Sequence, residues 1–391
     1  MRRQEQRSLG GRMATRILIL TSEYLPVVGG IGTYARELAG AATDLGAEVT
    51  VVAPDYGQKA DDRLSRFRIV RFAGGRHRAR DLLAKIRLVR RLLSNQKYEI
   101  IHAVDWPFFI PLRLASPSHG AKCVITLHGT EINELANSYK RSIVNLLKLF
   151  DGWAKIVTNS EFTRRLLFER FHVRLPENVV AEPLGVSSFW GEAARARELT
   201  RDELGIPKDA MVLLTVGRLT ERKGQLIVIE ALRLLPQDIA GRCCYLVIGP
   251  AYDTSFTDRI REAKARSGLD VRLLGEGSDE LVRDVYAASD IFCLVGGPDR
   301  SGRVEGFGLV LLEAGAQGLP AIASATGGVP EVVRDGISGV LVPAIDPVKT
   351  SEAISALCLN PDWQQQLGTA ARKLARELTW GRCAAATYGL P

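Results

Sequence analysis

The chain has 391 residues, 46% of them hydrophobic and 25% charged, with 37 glycines and a formal net charge of +8. Its length exceeds what one core usually covers and its composition excludes a disordered chain, so two domains of a folded α/β protein are expected. No uncharged apolar run reaches the roughly 18 residues of a membrane span, and the polar, basic start Met1 to Arg12 lacks the apolar stretch of a secretory signal, so folded structure is expected from about Met13, in the cytoplasm.

The excess of Lys and Arg over Asp and Glu falls in the first half of the chain, to about residue 190, and the second half is slightly acidic. That asymmetry points the first half toward an anionic surface or acceptor, with no nucleic-acid partner expected. Cys123, Cys243, Cys244, Cys293, Cys358 and Cys383 lack zinc-site spacing and read as free thiols in a reducing compartment.

In chain order, the apolar strand Arg16 to Thr21 runs into Ser22–Thr33, which carries Pro26 and Gly29-Gly30, and a helix follows from about Thr33 to Leu45. A strand, a glycine turn and a helix let a ligand approach backbone closely. The dinucleotide pattern G-x-G-x-x-G is not met: Ala35 stands where a third glycine belongs, and no acidic residue ends the next strand, Glu48 to Ala53. After strand Phe67 to Phe72 comes a basic amphipathic helix, about Arg78 to Ser94. Leu82, Leu83, Ile86, Val89 and Leu93 recur at helical spacing among Arg78, Arg80, Lys85, Arg87, Arg90 and Arg91. Such a helix either touches an anionic bilayer or simply covers a sheet.

Strands 99–104 and 122–127 carry His102 and His128 at their carboxyl ends, where ligands gather in open α/β sheets. A helix from about Tyr139 to Phe150, a strand at 154–158 and a helix capped by Ser160 complete this half, and the segment Pro176 to Trp190 reads as the linker. The strand–helix alternation then restarts, with strands at 211–216, 243–248, 271–274 and 290–294, which predicts a second parallel-sheet domain. From Ser351 to about Gly389 the tail is helical, and a break near Thr379 allows its last segment to return to the first domain.

Two stretches carry the chemistry. Arg218 and Lys223 flank a glycine turn at a strand end; a planar fork and a mobile point charge together suit a diphosphate, although either alone is usually a solvated charge. Ser301–Pro330 reads S-G-R-V-E-G-F-G-L-V-L-L-E-A-G-A-Q-G-L-P-A-I-A-S-A-T-G-G-V-P. A helix starting near Phe307 directs its unpaired amides at the mouth of the preceding strand, with Glu305 beside them and Glu313 about two turns along. The plain alternative is a core helix with a solvated acid at its start. P-loop, zinc, G-x-S-x-G and D-x-D patterns are absent from the sequence. A diphosphate held by cations and amides describes group transfer from a nucleotide diphosphate.

At this point the chain resembles glycosyltransferase family 4, the retaining, nucleotide-sugar-dependent transferases of GT-B fold. The resemblance runs from about Arg16 to Trp380. It rests on E-G-F-G-L-V-L-L-E (Glu305–Glu313), G-G-V-P-E (Gly327–Glu331), D-G-x-x-G (Asp335–Gly339), G-R-L-x-x-x-K-G (Gly217–Gly224), T-L-H-G-T-E (Thr126–Glu131) and the Pro26/Gly29-Gly30 loop. It implies two Rossmann-like parallel-sheet domains facing each other across a cleft: residues 13–187 on the acceptor side and 188–379 on the donor side, with a final helix, about 380–391, packing back on the first.

By the same resemblance, Arg218 and Lys223 grip the donor diphosphate, with Gly217 in their turn, the amides of Gly306, Phe307, Gly308 and Leu309 assisting, and Gly29 and Gly30 bordering it from the first domain. Glu305 meets sugar hydroxyls, Glu313 the ribose and His128 the sugar near the scissile bond, while backbone near Leu273, Leu274 and Gly275 holds the base. Where many members have P-S, this chain has the longer, basic Gly296–Arg303, expected to border sugar or acceptor, and Leu184-Gly185-Val186-Ser187 replaces the usual N-G-V-D. The implied activity is hexosyl transfer from a UDP- or GDP-sugar, with no cofactor and no metal, to a lipid-linked or polysaccharide-precursor acceptor at the inner membrane face. The rival readings are the same chemistry on a small soluble acceptor and a noncatalytic sugar-nucleotide-binding protein.

Overall fold

A computed structural model describes residues 14–27, 29–57, 62–73, 81–117 and 120–391. The basic start with Met13, and Arg78 and Arg80 of the expected basic helix, lie outside the described residues.

The first half forms a parallel sheet from β1 (Arg16–Leu20), β2 (Glu48–Asp55), β3 (Arg68–Ala73), β4 (Ile100–Ala103), β5 (Lys122–Leu127), β6 (Lys155–Thr158) and β7 (Val179–Ala181). The strand order is β3-β2-β1-β4-β5-β6-β7. The second half repeats the plan with β8 (Met211–Val216), β9 (Cys243–Ile248), β10 (Asp270–Gly275), β11 (Ile291–Leu294), β12 (Ala321–Ser324) and β13 (Gly339–Val342), ordered β10-β9-β8-β11-β12-β13. Central strands such as β1, β9 and β11 are apolar runs buried on both faces, as parallel sheets covered by helices require. Ile17 pairs with Val49 on one side and Ile100 on the other, so strand order reverses at β1, as it does at β8. Each reversal opens a crevice at the carboxyl ends of the strands.

The expected linker contains a strand. Val179–Ala181 pairs with β6 through Ile156 to Thr158, and three residues are too few to show periodicity in sequence. Strand β2 runs on to Asp55, so an acidic residue does end it; that carboxylate accepts from the Gly57 amide at 2.9 Å and caps a turn. His102 is fully buried between the Tyr388 hydroxyl (2.9 Å) and Thr126 Oγ1 (2.7 Å), so it belongs to the core.

The basic helix spans Leu82–Asn95 with Ile86, Leu88 and Val89 inward. Lys85 turns inward too: it is 3% exposed, with its ammonium 5.1 Å from the Phe108 ring and 5.9 Å from that of Phe72. Burial lowers its pKa against the opposing charge of Asp105 and Asp81, so Lys85 is a core cation and offers nothing to a membrane. Arg87, Arg90 and Arg91 stay exposed.

The chain crosses between the halves twice, side by side. Val186 N donates to Leu378 O at 2.9 Å, and a Cβ on Gly185 would lie 2.2 Å from Trp380 N. Thr379 then caps the helix Trp380–Tyr388, which packs on the helix Gly30–Asp44 of the first half. Lys155 Nζ donates to the carbonyls of Ala386 (2.8 Å) and Thr387 (3.2 Å) near its carboxyl end. Gly185→Ala must push the two crossings apart; we expect a loss of about 1–3 kcal/mol in urea unfolding, as for other overpacked sites.

Candidate active site

The two crevices face each other around a cavity of about 520 Å³. Gly29, Gly30 and His128 line it from the first half; Gly217, Arg218, Lys223, Glu305, Gly306, Phe307, Gly308, Leu309 and Glu313 line it from the second. Leu274 does not. Its side chain packs against the core, and that end of the cavity is made by Ile248, Gly249, Glu276 and Gly277. The loop Gly296–Arg303 also stays out of the lining, because Asp299 folds it on itself by accepting from Ser301 Oγ (2.6 Å) and Arg303 Nε (2.9 Å).

Lys223 Nζ donates to Glu305 Oε2 at 2.9 Å. Burial works to raise the Glu305 pKa, but the Lys223 ammonium, helped by Arg222 and Arg218, outweighs it and holds the carboxyl below its ordinary range. Arg218 lies with its guanidinium 4.8 Å from the Tyr252 ring, a flat support that leaves its N–H edge available. Arg222, a third lining cation, sits with Nε 3.8 Å from Asp299.

The helix beyond Glu305 is Leu309–Ala316, two residues later than expected. Phe307 is anchored in the core at 2% exposure, and Gly308 takes φ 96° as the cap, which no residue with a Cβ does easily. Glu313 Oε2 accepts from the Tyr286 hydroxyl at 3.1 Å. With no cation of its own, its carboxyl is pushed up to about 7 by burial, which outweighs that bond.

Across the gap, His128 Nε2 lies 2.9 Å from the Val104 carbonyl, which can only accept, so Nε2 carries the proton and Nδ1 keeps its lone pair. Burial lowers this imidazole to about 4, so it is neutral at pH 7. The edge of Tyr34 supports it at 5.0 Å. Gly29 caps the helix Gly30–Asp44, with the Glu23 carboxylate in the space a Cβ would need.

Sequence reading missed Glu23, Arg36 and Arg222 as lining residues. Arg222 adjoins Lys223 within the recognised motif, and Glu23 stands just past β1, so position after a strand was the available signal; Arg36, inside a helix, offered none.

The two glutamates have opposite pH behaviour. Because the folded-state pKa of Glu313 is raised, its contribution to stability is lost as pH rises from its ordinary 4.5 through about 7. Glu313→Gln removes that loss and still accepts from Tyr286. Its melting temperature should exceed wild type at pH 8, with the gain vanishing toward pH 4.5, while nucleotide binding by calorimetry weakens.

Comparison with known proteins meets this geometry. The model described as Glycosyltransferase Family 4 matches residues 28–187, and that of Glycosyl transferases group 1 matches 196–374, together leaving only the two ends and residues 188–195. The D-inositol 3-phosphate glycosyltransferase of Corynebacterium diphtheriae is 27% identical over 91% of this chain and 88% of its own. The GDP-mannose-dependent alpha-(1-6)-phosphatidylinositol monomannoside mannosyltransferase of Mycobacterium tuberculosis is 27% identical over 95% and 96%. Anabaena Alr3699/HepE in complex with UDP-glucose superposes with a TM-score of 0.77 at 18% identity, over 96% of this chain and 98% of that one. With both halves matched and both sheets in place, the chain belongs to glycosyltransferase family 4, the retaining, nucleotide-sugar-dependent glycosyltransferases of GT-B fold.

Proposed function

We propose that this enzyme moves a hexosyl group from a UDP- or GDP-linked sugar to a hydroxyl of a lipid-linked or polysaccharide-precursor acceptor, with residues 13–187 as the acceptor-side domain and 188–379 as the donor-side domain. The carrying observation is the Lys223–Glu305 ion pair, beside Arg218 and the start of helix Leu309–Ala316 and facing His128 across one cavity. Lys223 and Arg218 take the diphosphate, with the amides after Gly306 completing the cradle. Glu305, kept ionised, accepts from sugar hydroxyls. Glu313 takes the ribose, and His128 offers Nδ1 near the reacting carbon.

Transfer proceeds on one face of the sugar. The acceptor oxygen bonds to the anomeric carbon as the bond to the β-phosphate oxygen breaks, the acceptor proton passes to that departing oxygen, and the nucleoside diphosphate leaves with the electron pair. Cations fixed beforehand where this charge grows supply the main rate enhancement. Side chains and amides do this without a divalent ion in our reading, so transfer should survive excess EDTA.

The lipid-linked acceptor is supported by the relative named for a phosphatidylinositol monomannoside. A bilayer on the first domain is supported by exposed Arg87, Arg90 and Arg91 and by Tyr139, Ile143 and Leu146, exposed at spacings of four and three on the helix Ser138–Leu146. The inositol-phosphate relative and the buried Lys85 favour the second reading, a small soluble acceptor.

A donor screen scored by released nucleotide, with and without crude lipid extract, tests the activity; no release from any UDP- or GDP-sugar ends it. Sedimentation with vesicles containing anionic phospholipid separates the acceptor readings. Lys223→Ala loses a charge-assisted contact worth about 1.5–3 kcal/mol, mostly in the transition state, so kcat should fall about 10- to 100-fold. A raised KM at unchanged kcat would remove Lys223 from the leaving-group role.

A further inference from the structure

Glu331 closes the motif Gly327–Glu331, and the donor reading makes no use of its side chain, which does not line the cavity. It belongs to the second half, yet its carboxylate reaches the first. Oε2 accepts from Glu161 N and Oε1 from Phe162 N, each at 2.8 Å. These are the first two amides of the ten-residue helix Glu161–Arg170. Ser160 Oγ accepts from the third, Thr163, at 3.1 Å, and Arg164 N bonds to Ser160 O. The three open amides of the first helical turn, Glu161 to Thr163, are all taken before the regular helical bonds begin at Arg164, two of them by a charge from across the cleft at the positive end of the helix dipole.

The turn that carries Glu331 is also fastened to Glu305–Gly308, the loop the donor reading places at the sugar and diphosphate (the donor loop). Gly328 N donates to Glu305 O at 3.1 Å, and Cβ atoms on Gly327 and Gly328 would lie 2.0 Å from Glu305 O and 2.1 Å from Gly306 O. From the first half, Ser160 Oγ donates to Gly306 O at 2.9 Å and Asn159 Nδ2 to His128 O at 3.3 Å. Glu331, Glu305 and Gly306 therefore move as one piece against Ser160 and His128.

We propose that Glu331 is a positioning residue for transfer: its carboxylate clasps the amino end of helix Glu161–Arg170 and sets the closed spacing between His128 and the donor loop. The rate readout rests on the transferase reading above; the clasp itself does not.

The test uses the full chain with Glu331→Ala, Glu331→Gln, Glu161→Pro and the double variant Glu161→Pro/Glu331→Ala. Ser160 is extended (φ −163°, ψ 159°) and Glu161 is the first helical residue, so proline fits there and deletes one clasped amide from the opposite side. Small-angle X-ray scattering should report a larger radius of gyration for Glu331→Ala and Glu161→Pro. Their kcat should fall about tenfold or more, with UDP or GDP affinity by calorimetry held within about threefold and the double variant no worse than Glu331→Ala. Glu331→Gln, which keeps one acceptor oxygen, should lie between. Wild-type dimensions and kcat in Glu331→Ala, additive losses in the double variant, or nucleotide affinity falling with kcat would each overturn the proposal. So would a lower melting temperature at unchanged dimensions. If wild type transfers no sugar at all, scattering still decides the clasp while the functional reading fails separately.

Discussion

Backbone meets backbone at the centre of this protein with no side chain between. A Cβ on Gly306 would lie 2.3 Å from the His128 carbonyl oxygen, and one on Gly328 would lie 2.1 Å from the Gly306 carbonyl oxygen. Both distances are far inside van der Waals contact, so the donor loop can lie between the first domain and the turn behind it only because these positions carry no side chain. Everything polar in the cleft is referred to that contact. It sets how far His128 stands from Glu305, and through Glu305 how far it stands from Lys223.

Within the cavity, two residues of one type are driven to opposite states by what surrounds them. Both glutamates lose water, and burial works to raise the pKa of both. Glu305 meets Lys223, with Arg222 and Arg218 beyond, and stays ionised; Glu313 meets only a tyrosine hydroxyl and rises to about 7. In the function proposed, an ionised group suits sugar hydroxyls, whereas a carboxyl that is partly protonated at pH 7 can both donate to and accept from a ribose. The imidazole of His128, neutral at pH 7, adds no charge of its own to a wall that also carries Glu23 and Arg36.

The halves are joined by two passages of chain that are bonded to each other. Residues 184–187 and 378–380 cross together and are bonded to each other, so the two passages bend as one. The last helix then docks on the helix that begins at Gly30, the same glycine turn that borders the cavity. Lys155 and His102, both within first-domain strands, fasten the far end of the last helix.

Much of this was legible in the sequence. The strands at 122–127, 211–216 and 243–248 fall where apolar runs end in glycine or histidine, because a strand buried on both faces must be continuously apolar and must stop where the chain turns. Motif spacing likewise brought Arg218, Lys223, Glu305, Glu313 and His128 together, since each follows or lies near a strand end and strand ends converge in this architecture. What spacing does not encode is direction. Lys85 and Arg87 look alike in sequence, yet one stands over Phe108 in the core and the other faces water; Leu274, whose backbone was expected beside the base, packs its side chain on the core and does not line the cavity; β7 forms where β6 offers an edge to pair with. The sequence by itself determined most of the strands, which turns need glycine and that Arg218, Lys223 and Glu305 stand at strand ends or glycine turns facing the cleft, because those depend on local backbone geometry and period. Only the tertiary structure decided which of two equal carboxylates ionises, which lysine is buried and that Glu331 reaches the helix at Glu161, because these depend on groups distant in the chain brought within about 3 Å, where charge and hydrogen bonding act.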